Sequence, residues 1–100
     1  MTARTIVHVT VRGRVQGVGY RAFVERAAVK RGIEGWVRNR RDGSVEAVFA
    51  GETTIVSELI ETCRRGPFAA KVETIDQREG READLGARMS GELFSVLATA

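Results

Sequence analysis

Two short segments hold residues whose types and spacing can do chemistry. The first is Gly13-Arg-Val-Gln-Gly-Val-Gly19, three glycines in seven residues, followed at once by Tyr20 and Arg21. Such a run suits neither a helix nor a strand interior. Glycines let successive backbone N–H groups turn toward one point, a nest that can wrap the oxygens of a phosphate. A helix starting directly after the run adds unpaired N–H groups and the positive end of its dipole. Gly13, Arg14, Val15, Gln16, Gly17, Val18 and Gly19 therefore read as an anion cradle. Arg21, in the first turn of that helix, can reach back and close the cradle with its guanidinium fork. A plain strand-to-helix turn with a surface arginine fits these residues as well. The spacing matches neither the dinucleotide fingerprint nor a P-loop, so no large nucleotide is required.

The second segment is Gly35-Trp-Val-Arg-Asn-Arg-Arg-Asp-Gly43. Asn39 carries an amide that both donates and accepts, so it can hold a water without keeping its proton. In a split βαβ unit the end of this strand lies on the same side of the sheet as the first loop, which lets Asn39 face a bound anion. An asparagine just before a hairpin turn can equally bond its own backbone.

The surrounding sequence supplies elements that position both segments. Val7, Val9 and Val11 alternate with Ile6, His8, Thr10 and Arg12, a half-buried strand from Thr5 to Gly13. Tyr20, Phe23/Val24, Ala27/Ala28 and Arg31 recur at helical spacing up to Gly32. Gly35–Asn39 and Ser44–Gly51 read as two strands joined through Asp42-Gly43, a hairpin signal. Thr53 is a candidate N-cap for a second helix in which Val56, Leu59/Ile60 and Cys63 line one side, ending near Gly66-Pro67. A weaker strand over Lys71–Gln77, a polar stretch, and a short strand over Leu93–Leu97 complete the chain. The order βαββαβ plus a short C-terminal strand predicts an α+β, ferredoxin-like split βαβ sandwich: one antiparallel sheet with both helices on one face.

Length and composition exclude several classes. One hundred residues, 43% hydrophobic and 29% charged, suit one globular domain spanning residues 1–100. The N-terminal stretch Met1–His8 has no apolar leader core, and nothing in the sequence is long and apolar enough to cross a bilayer. One cysteine and one histidine rule out an internal disulfide and the usual zinc ligand set, and the lone cysteine points to a reducing, cytoplasmic compartment. Net charge is +3, and of sixteen basic residues only Lys30 and Lys71 are lysines. Guanidinium binds phosphate and carboxylate bidentately, so an anionic partner fits this bias. Cys63 falls with the core residues, Trp36 with sheet packing, and His8 on the sheet face opposite Val7, Val9 and Val11.

Val11-Arg-Gly-Arg-Val-Gln-Gly-Val-Gly-Tyr-Arg21 resembles the first signature of the acylphosphatase family. Gly35-Trp-Val-Arg-Asn39, followed by Gly43-Ser-Val45 and Gly51, resembles the second. Tyr20 stands where the family pattern usually has Phe or Met. The resemblance implies hydrolysis of a carboxyl–phosphate anhydride in a small acyl phosphate without a metal or organic cofactor, giving carboxylate and inorganic phosphate, with phosphate or sulfate as product or mimic. It implies that Arg21 binds the phosphate, that the Arg14–Gly19 backbone forms the phosphate loop, and that Asn39 orients the attacking water. A carboxylate leaving group with a parent pKa of roughly 4 departs without a general acid. The absence of a candidate acid among the motif residues is therefore consistent with that reaction.

Two other readings use the same architecture. An RNA-recognition domain would stack bases on exposed aromatics of its central strands. Here Val7, Val9 and Val11 and Val45, Ala47 and Phe49 occupy the alternating positions, so no nucleic-acid partner is expected, and no membrane partner either. A module of a larger carbamoyl-transfer protein would need more chain than 100 residues. No apolar helix stripe demands a partner, which predicts a monomer.

Overall fold

The structure is a computed structural model that describes residues 3–100; Met1 and Thr2, part of the N-terminal stretch read for a leader, lie outside the described residues. The elements are β1 (Arg4–Arg14), α1 (Tyr20–Lys30), β2 (Glu34–Asn39), β3 (Val45–Glu52), α2 (Thr53–Arg65), β4 (Lys71–Glu79), a 3₁₀ helix (Glu82–Ala87) and β5 (Phe94–Val96). They form the expected α+β sandwich, with strand order β4-β1-β3-β2-β5. β1, β2, β3 and β4 pair antiparallel throughout. The short fifth strand runs parallel to β2, which makes the whole sheet mixed.

The valine alternation in β1 works as its period requires. Val9 and Val11 face the helices, packed with Val45, Ala47 and Phe49 of β3, Val24 and Ala28 of α1, and Val56, Leu59, Ile60 and Cys63 of α2. Tyr20 Oη donates to the Cys63 carbonyl at 2.7 Å and ties the two helices together. Thr53 does not cap α2 as expected. It is the first helical residue, and its N–H and Oγ1 both donate to the Ala3 carbonyl, at 3.1 and 3.2 Å, so the side chain anchors the start of the chain instead.

The opposite sheet face has a small core of its own, with Trp36, Val48 and Ala50 under Leu85 of the 3₁₀ helix. Trp36 Nε1 donates to the Asp84 carbonyl at 2.7 Å. The polar stretch Glu79–Glu92 thus serves as a cover, with one apolar residue, Leu85, turned inward. No helix among the described residues is long and apolar enough to cross a membrane.

Candidate active site

Strand register brings the two segments together. Val45 of β3 pairs with Val11 of β1 on one side and with Asn39 of β2 on the other. β1 and β2 therefore run parallel with β3 between them and end at the same edge of the sheet, two strand spacings or about 10 Å apart. The chain leaving β1 turns at that edge into α1. Between the turn and β2 lies a cleft of about 400 Å³ lined by Val15, Gly17, Gly19, Arg21 and Asn39, together with Glu25 and Val96.

The loop has the backbone that an anion site needs. Gly17 and Gly19 adopt φ of 73° and 78°, left-handed conformations that side chains resist, although open space surrounds both. Gly19 immediately precedes α1 and offers no side chain to cap it. Among the described residues, no backbone N–H from Gln16 to Gly19 donates to another backbone carbonyl. Four consecutive donors thus lie free at a helix N-terminus. Gly13 and Arg14 lie outside this group. They belong to β1, paired with Val72 and Lys71, and a Cβ on Gly13 would stand 2.2 Å from the Lys71 carbonyl oxygen. Val15 is buried in the core and Val18 packs against it, so the two valines anchor the turn while the glycines face the cleft.

Arg21 projects from the first turn of α1, half-buried, with Nη1 donating to the Leu97 carbonyl at 3.3 Å. One bond leaves most of its five N–H donors free. Asn39 closes β2. Its carbonyl accepts from the Ala100 N–H at 3.0 Å, while its Oδ1 is buried without any hydrogen-bond partner. A buried acceptor of this kind costs free energy until a donor reaches it.

Behind Asn39, on the other face of the sheet, stands a charged knot. Arg38 Nε and Arg40 Nη1 donate to Glu46 Oε1 at 2.8 and 3.0 Å, and His8 Nε2 lies 2.6 Å from Glu46 Oε2. Burial by itself would raise the Glu46 carboxyl, but hydrogen bonds from His8, Arg38 and Arg40 outweigh it and hold the pKa down at about 2. His8 lies on the face expected for it, yet buried and engaged rather than at the surface. The arginines on either side of Asn39 thus grip a carboxylate and do not line the cleft. Cys63 is 1% exposed, and burial pushes its thiol up to about 12, far from the thiolate that a nucleophile needs.

Glu25 is the cleft residue that the motif reading passed over. It sits four residues after Arg21, and i,i+4 spacing alone puts it on the same face of α1.

The sequence also matches a family model described as Acylphosphatase over residues 7–86. An acylphosphatase of Rhodopseudomonas palustris strain BisB18 is 60% identical over 96 residues, spanning 95% of this chain and 97% of the relative. One from Bradyrhizobium diazoefficiens is 52% identical, spanning 97% and 98% of the two chains. The crystal structure of acylphosphatase from Bacillus subtilis superposes with a TM-score of 0.81 at 35% identity, covering 95% of this chain and 99% of that one.

Proposed function

The chain belongs to the acylphosphatase family, enzymes that hydrolyse acyl phosphates, and on that premise we propose how its own residues divide the work. The free N–H groups of Gln16–Gly19 and the Arg21 guanidinium hold the phosphoryl oxygens, and Asn39 orients the attacking water. The observation that carries this reading is Asn39 lining the same cleft as the loop and Arg21, its buried Oδ1 left without a partner. With the amide turned into the cleft, a water held by Asn39 donates one proton to Oδ1 and keeps a lone pair for phosphorus.

Water attacks the phosphorus as the bond from phosphorus to the carboxyl oxygen breaks, and the carboxylate leaves with the bonding pair. Its parent pKa of roughly 4 makes a general acid unnecessary. The proton lost by the water passes to a phosphoryl oxygen, and inorganic phosphate results. Phosphoryl transfer depends chiefly on positioning and charge stabilisation, which backbone N–H groups, a guanidinium and an amide supply without a metal or cofactor.

Residues 1–100 act in this reading as one domain, monomeric and cytoplasmic, which suits the unpaired, buried Cys63. Nucleic acid is disfavoured because Trp36, on the sheet face that would stack bases, is buried beneath the 3₁₀ helix.

The test is hydrolysis of a simple acyl phosphate in the presence of a chelator. The wild type is expected to retain full activity, and Arg21→Gln and Asn39→Ala to lose about 10²–10³-fold while staying folded. Arg21→Gln raises KM and lowers kcat, because the guanidinium holds the phosphoryl group before and during reaction, whereas Asn39→Ala acts on kcat alone. Full activity in Asn39→Ala removes the water-orienting role, and strict dependence on added Mg²⁺ removes the metal-free mechanism.

A further inference from the structure

Gln16 sits in the middle of the phosphate loop, but its side chain leaves the cleft. Its Nε2 donates to the Arg40 carbonyl at 2.7 Å and to the Ser44 carbonyl at 2.8 Å. Those two carbonyls close the hairpin after Asn39: Arg40 O accepts from the Gly43 N–H at 3.1 Å, and Ser44 O accepts from the Arg40 N–H at 2.8 Å. A primary amide has two N–H donors, and both are used here. The partners are both carbonyl oxygens, so only the NH₂ end of the side chain can face them. None of its donors is left for a phosphate.

We propose that Gln16 is a positioning residue, a strut from the phosphate loop to the β2–β3 turn that fixes the distance between the bound phosphoryl group and the Asn39 amide. The two halves of the site come from strands that are not neighbours, and each half can hold its own part without the other. The loop grips oxygens through its backbone, and Asn39 is carried by its strand pairing with Val45. In-line attack needs the two in register, and a displacement of about 1 Å is enough to cost rate. Gln16 supplies a direct side-chain link between them, separate from the grip of Glu46 on Arg38 and Arg40.

The inference rests on the catalytic reading above. Its test is Gln16→Met, which keeps the length and loses both donors, with Gln16→Glu, which keeps the shape and turns an acceptor toward two acceptors. Steady-state rates and inhibition by inorganic phosphate are compared in wild type, Gln16→Met, Gln16→Glu, Asn39→Ala and the Gln16→Met/Asn39→Ala double variant. Gln16→Met is expected to lose about 10- to 100-fold in kcat, with KM and phosphate inhibition within about threefold of wild type. Gln16→Glu is expected to lose more. In the double variant the Gln16 substitution adds little, because its effect passes through Asn39.

Retained kcat in Gln16→Met, a loss confined to KM and phosphate affinity, or full additivity with Asn39→Ala each overturns the proposal. A wild type inactive on acyl phosphates is a failure of the catalytic reading. The strut is then judged by NMR hydrogen exchange: the Gln16 side-chain amide protons are expected to be protected in the wild type, and the Gly43 and Arg40 amides to lose protection in Gln16→Met. Rapid exchange of the Gln16 amide in the folded wild type overturns the strut irrespective of activity.

Discussion

Arg21, Asn39 and Glu25 set the electrostatics of the cleft: one cation, one neutral amide and one carboxylate. A carboxylate one helical turn from the arginine proposed to bind phosphate disfavours an acyl group that is itself anionic, since like charges in a shared cleft repel. Glu25→Gln is therefore expected to lower KM for an acyl phosphate bearing a second carboxylate by roughly 3- to 10-fold, about one kcal/mol of repulsion relieved, and to leave a neutral acyl phosphate nearly unchanged. Equal effects on both substrates contradict this role. The meeting of Arg21 and Asn39 in one cleft is legible in the sequence because the two segments that carry them pair in a split βαβ order and resemble the two family signatures, whereas either residue alone reads equally well as surface. Glu25 is legible only after the helix phase is fixed by Arg21. The tether from Gln16 is not legible, because its partners are backbone carbonyls that any residue could present.

The hairpin of β2 and β3 carries Asn39 in front and the Glu46 knot behind. The depressed pKa of Glu46 makes the hairpin acid-sensitive. With a folded value of about 2 against an ordinary 4.5, the ionised Glu46 contributes stability above the ordinary carboxylate range, and that contribution is lost as pH falls from about 4.5 toward 2. Denaturant melts of Glu46→Gln are expected to show lower stability than wild type at neutral pH and a gap that narrows below about pH 4. A constant gap across that range contradicts the assignment. The strands and helices were legible because valine alternation and helical spacing carry their own period. The 3₁₀ helix is not, because one inward leucine leaves no periodic trace and the helix takes shape only by packing on Trp36; the short C-terminal strand is legible within Leu93–Leu97, but its parallel pairing with β2 is not. The capping role expected of Thr53 fails for a similar reason: its hydroxyl finds the Ala3 carbonyl, a tertiary partner outside the local sequence.

Across the whole molecule, the split βαβ crossover does the work that no single motif does. It sets β3 between β1 and β2, brings both strand ends to one edge, and lays the helix N-terminus over the gap. The sparse chemical inventory suits the proposed mechanism, in which a leaving group that departs unaided and a water held by an amide need neither the buried Cys63 nor His8, which is engaged with Glu46. In the proposed reaction the cradle presents phosphorus, not the acyl carbon, to the water. Hydrolysis of an acyl phosphate in ¹⁸O-labelled water, with the products analysed by mass, tests it directly. The label is expected in inorganic phosphate, with an unlabelled carboxylate; label in the carboxylate would mean attack at the acyl carbon and overturn this mechanism.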